Sequence, residues 1–125
     1  MSAANAERAV ERLLDDEALR GDLEDDGYGP LLGVVTTLVD ARAARFPTTD
    51  ALYAASHGLL RAAVAAASAG QADGLTSAAH PLLIGQEEAA FREQLPRLGG
   101  DSNQNARAIA RALAAATGTP LEEDA

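Results

Sequence analysis

Residues 47–70 read PTTDALYAASHGLLRAAVAAASAG, and this stretch decides the fold. A proline followed by two threonines and an aspartate is how a helix starts. A threonine hydroxyl, from Thr48 or Thr49, accepts a first-turn N–H, and Asp50 lies where the helix dipole is positive. The alanine-rich run that follows has the highest intrinsic helix propensity and carries the helix to about Ala69. A helix over 49–69 is therefore predicted.

Projected at about 100° per residue, Leu52, Tyr53, Ser56, Leu59, Leu60, Ala63 and Ala67 make its packing face. Asp50, His57, Arg61 and Ser68 fall on a narrow polar strip, and Ala54, Ala55, Gly58, Ala62, Ala65 and Ala66 fill the rest. A surface helix carries a broad charged face, and this one does not. From residue 51 to 86 the only charged residues are Arg61 and Asp73. The helix is either central to a bundle or half of a subunit interface. It is not a membrane span, because alanine is weakly apolar and Arg61 would sit near mid-bilayer.

Outward from this helix the chain predicts four more. Residues 3–20 carry an apolar stripe at Ala6, Val10, Leu13 and Leu14, with Glu17 out of place on it and Gly21 as the stop. Residues 30–46 gather Leu31, Val34, Val35, Leu38 and Val39, with Arg42 projecting onto the same stripe. Two misplaced opposite charges suggest a partly buried ion pair between Glu17 and Arg42. His80-Pro81 opens a helix over 81–95 that Pro96 ends, after a loop GQADGLTS. Asp101, three positions before Gln104, caps a helix over 102–117, and Gly118 closes it. With no alternating strand pattern, the expected fold is all-α: a compact bundle of about five helices, one domain over 1–118 and a flexible acidic tail over 119–125.

Between the first two helices lies LRGDLEDDGYGP, residues 19–30, the stretch that most resembles a site. Asp22, Glu24 and Asp26 open like a calcium loop, but its twelfth position is Gly33, which offers no bidentate carboxylate. Gly29 and Pro30 read instead as a helix start, with Asp25 and Asp26 upstream favouring the helix dipole. The expected role is an acidic connection.

Composition narrows the function. Alanine supplies 30 of 125 residues, while Leu, Ile, Val and Phe together supply 26. Alanine buries little area, so the core is thin and self-association is a natural way to cover more surface. The net charge is −9 with no lysine, which sets the chain against phosphate backbones and anionic membranes. Nucleic acid and membrane are not expected partners. With no cysteine there is no thiolate nucleophile, disulfide or Cys-ligated metal. MSAANAERAVERLL lacks a basic region followed by an apolar run, so the expected compartment is the cytoplasm.

The candidate site residues are Tyr53, His57 and Arg61, which share a ridge where an acid/base group or an anion site is conceivable. Equally, the few polar residues of a buried helix collect on its one wet edge. His80 with Glu87 and Glu88 suggests a metal site only weakly, since no Glu-x-x-His or His-x-x-x-His pair exists. No catalytic residue, cofactor or metal is therefore assigned. The expected function is a small, acidic, non-catalytic protein, an adaptor or regulator acting through protein contacts, homodimeric through helix 49–69. Two other readings remain open at this point. One is a small-molecule or metal binder with a pocket near Tyr53, His57 and Arg61. The other is an acidic nucleic-acid mimic that inhibits a basic protein.

Overall fold

The computed structural model describes residues 2–23 and 28–121. Every regular element among them is helical: α1 (Ser2–Leu14), α2 (Glu17–Leu23), α3 (Tyr28–Arg42), α4 (Thr49–Ala69), α5 (Leu75–Ala79), α6 (Glu87–Gln94) and α7 (Ser102–Thr117). Short 3-10 turns follow α3 at Ala43–Arg45 and α5 at His80–Leu82. No described helix is long and apolar enough to cross a membrane.

Four helices form the frame. α1 packs on α4, α4 on α7, α7 on α3 and α3 on α1, closing a ring, while α3 and α4 also touch across the middle. α5 lies against α4, α6 against α7, and α2 against α1 and α3. The core between them is small-grained. Eleven of its 29 buried apolar residues are alanine, which lets helix axes approach closely where Leu13, Leu31, Leu38, Leu59, Leu60, Ile109 and Leu113 fill the remaining space. Leu121 is packed on this core too, so the chain past Gly118 is not all tail.

Two helices have the predicted bounds, and their caps show why. Thr48 Oγ1 accepts the Ala51 N–H at 3.1 Å, and Gly70 ends α4 in the left-handed conformation with φ 70°. Asp101 Oδ1 accepts the Gln104 N–H at 2.9 Å, and Gly118 ends α7 with φ 69°.

Five expectations are corrected. The single helix expected over 3–20 is two, broken at Asp15 and Asp16, because Asp16 turns its carboxylate to the Leu19 N–H (3.3 Å) and starts α2 anew. Gly21 lies inside α2 rather than after a helix end, so Arg20-Gly21-Asp22 is helical. The helix expected over 81–95 is shorter and later: Pro81 sits in a 3-10 turn, Gly85 adopts φ 61°, and α6 starts only at Glu87. Part of GQADGLTS, expected as loop, is α5, whose Leu75 and Ala79 are one turn apart and both buried. α3 begins at Tyr28, two residues before the expected start, because the Tyr28 ring is buried and anchors its first turn. The calcium-loop question, which turns on residues 24–27, lies outside the described residues.

Candidate functional site

The polar edge of α4 faces α1. Asp50, Tyr53 and His57 stand at three- and four-residue steps, so they form a ridge. α1 sends Arg12 across it, and the break after α1 sends Asp16. The Arg12 guanidinium lies 4.0 Å above the Tyr53 ring centre and pairs with Asp50. His57 Nε2 meets Asp16 Oδ2 at 2.6 Å, with both side chains about four-fifths buried (22% and 19% exposed). The Tyr53 and His57 rings are 5.2 Å apart, tilted by 36°. Asp16 thus does two things at once, with one oxygen starting α2 and the other holding α4.

Of the three residues singled out from sequence, Tyr53 and His57 come together and Arg61 does not. Arg61 is exposed, and no hydrogen bond, ion pair or ring contact joins it to Tyr53 or His57 among the described residues. The ridge is therefore a seam between two helices, with the Tyr53 ring face covered by Arg12 and one His57 nitrogen taken by Asp16. Sequence reasoning missed Arg12 and Asp16. Asp16 carries a local signal as a helix cap, but nothing local links it to a histidine 41 positions on.

A His–Asp pair can move a proton. The hydroxyl of Ser56, next in sequence, is buried and directed at the carbonyls of Leu52 (2.8 Å) and Tyr53 (3.1 Å). The pair's visible work is to tie the α1–α2 junction to α4. Replacing His57 by alanine is expected to cost about 1 kcal/mol, as for other partly exposed pairs, measured by urea unfolding. A loss within error would mean that the contact contributes nothing to the folded state.

Arg42 has a partner other than the one expected. Its Nη2 lies 2.7 and 2.8 Å from the two carboxylate oxygens of Glu87, and its Nε–H donates to the Leu82 carbonyl at 3.1 Å. Glu87 also accepts the Ile84 N–H at 2.8 Å, and Arg45 donates to the Leu83 carbonyl at 3.1 Å. Two arginines of α3 and its following turn thus hold the segment that α5 and α6 share. Glu17, the expected partner, is exposed on α2. The same pairing removes Glu87 from any site with His80, which touches Glu88 alone, at 3.1 Å. Among the described residues no group of three or more His, Asp or Glu is placed to hold a metal ion.

Three clefts can be described among the described residues. One of about 370 Å³ lies between α3 and the C-terminal segment at Gly33, Thr37 and Pro120. Another, about 270 Å³, lies beside Ala65, Ala69 and Gly74, and a third, about 300 Å³, lies between α1 and α3. None of the three includes Tyr53, His57 or Arg61. No protein-family model matches this chain, and neither a curated protein nor a solved structure is significantly similar to it.

Proposed function

We propose that this chain is a non-catalytic helical protein that works through protein–protein contacts, an adaptor or regulator whose partners include a second copy of itself. What supports the self-contact is the outward strip of α4. Ala54, Gly58, Arg61, Ala65 and Ser68 are all exposed and follow one another at alternating four- and three-residue steps. That is the spacing of a two-helix seam. Four of these five residues are Ala, Gly or Ser, so a facing helix can approach more closely than over long side chains. Crossed antiparallel at Gly58, two such strips are self-complementary and keep the two Arg61 side chains apart.

The strip is narrower than the alanine flank read from sequence. Ala66 is buried, and Ala55 and Ala62 are half-buried against the protein's own core. The self-contact is accordingly an association of folded monomers, and the diagnostic substitution is Ala65→Glu, on the exposed strip. Ala65→Glu is expected to leave the helical circular dichroism unchanged and to shift a dimer to monomer by light scattering. Wild-type protein that stays monomeric at high micromolar concentration would end the self-association reading.

A further inference from the structure

We infer that the groove between α1 and α3 docks an arginine-bearing helical segment of a partner protein. Ala6 and Val10 line this shallow, open groove, and Glu7, Glu11 and Asp40 stand around it, over a volume of about 300 Å³. Leu14, one turn beyond Val10 on the same flank of α1, is the most exposed large apolar side chain of the described residues (44%) and lengthens the apolar path.

Charge selects the occupant. Of the two arginines of α1, Arg12 faces α4, where Tyr53 and Asp50 hold it, and the exposed Arg8 makes no ion pair with Glu7 or Glu11 among the described residues. Glu7, Glu11 and Asp40 make no ion pair or side-chain hydrogen bond among the described residues. Glu7 and Glu11 are moreover like charges one turn apart, an arrangement that disfavours the isolated helix and that a cation relieves. The three carboxylates do not converge on a point, since no described set of three acidic or histidine side chains can hold a metal. They suit a cation spread over a surface.

An arginine side chain has both required parts. Its methylene stem packs on the half-buried Val10, and its planar guanidinium meets a rim carboxylate by two parallel hydrogen bonds. Several arginines and a leucine on one face of a helix would use the rim, the floor and Leu14 together. Nucleic acid and anionic lipid are repelled by the same carboxylates. This contact uses a different face from the α4 strip, so either can fail without the other.

The test is a titration of the isotope-labelled protein with a short amphipathic Leu–Arg peptide, followed by backbone amide shifts. Saturable shifts confined to α1 and the facing part of α3 are expected, with binding that weakens as salt rises. Glu7→Gln with Glu11→Gln should weaken binding about tenfold or more, and Val10→Ser should weaken it with the charge unchanged. Neutralising two exposed acids elsewhere, Asp73→Asn with Glu93→Gln, should change it by less than about twofold. Equal loss from both pairs of substitutions would mean that a chain of net charge −9 merely attracts polycations, and the inference would be wrong. Indifference to Val10→Ser, or saturable calcium binding at the same residues, would overturn it as well.

Discussion

Phe91→Ala is expected to lower the unfolding free energy by about 3–5 kcal/mol, a large part of the 5–15 kcal/mol that a domain of ordinary stability possesses. The reason lies in how α6 is held. It is a helix of eight residues, too short to persist by its own hydrogen bonds, and Phe91 is its single buried side chain. The ring is fully buried, and α6 packs on α7. Truncating it removes the apolar area that fixes the helix and leaves a hole that a core of alanines cannot collapse to fill. Urea unfolding would give the size of the loss. Hydrogen exchange would show where it falls, with the amides of α6 losing protection first. A loss under about 1 kcal/mol would mean that α6 is held by something other than this ring.

Arg42→Ala is expected to cost about 2–3 kcal/mol. A fully buried ion pair broken on one side costs about 3–5 kcal/mol, because the remaining charge is stranded. Here water reaches Glu87, whose side chain is 21% exposed, so the penalty is smaller. The Leu82 carbonyl also loses its donor. Glu87→Ala should cost a similar amount, since it strands Arg42 and the Ile84 N–H together. A double-mutant cycle should return a coupling of about 1–2 kcal/mol, as for residues in direct contact. Glu17→Ala, on an exposed side chain, should stay within about 0.5 kcal/mol. Additive costs for Arg42 and Glu87 would show that their contact is not formed in solution. Because both Glu87 and Phe91 belong to α6, the Phe91 and Arg42 substitutions should be less than additive.

The placement of the candidate side chains was only partly legible in the sequence. Tyr53 and His57 are legible from sequence as neighbours, since a helix fixes residues four apart on one face. Arg61 is four further on, yet it parts from them. Helical rotation carries each successive fourth residue about 40° around the axis, so Arg61 lies about 80° from Tyr53, and it is exposed where His57 is half-buried. Arg12 and Asp16 come from another helix and leave no mark in the sequence around His57. In the same way the misplaced polarity of Arg42 is legible, because a guanidinium on an apolar stripe requires a partner. Its identity is not, because Glu87 lies 45 residues away and is brought close by the packing of the α5–α6 segment.

What the sequence by itself determined was everything governed by neighbours within a few positions. It set the all-helical class, the bounds of α4 and α7 through Thr48, Asp101 and Gly118, and the sparse charge of α4. Tertiary structure decided where competing local signals were close in energy. A continuous helix over 3–20 and a helix broken at Asp16 differ by roughly one cap, about 1 kcal/mol, and the His57–Asp16 contact favours the break. Leu75–Ala79 is too short to be a helix alone and is one only because Leu75 and Ala79 are buried in the core. Which flank of α4 stays exposed was likewise set by the helices around it. Burial depends on contacts between distant segments, and those energies exceed the few tenths of a kcal/mol per residue by which propensities differ.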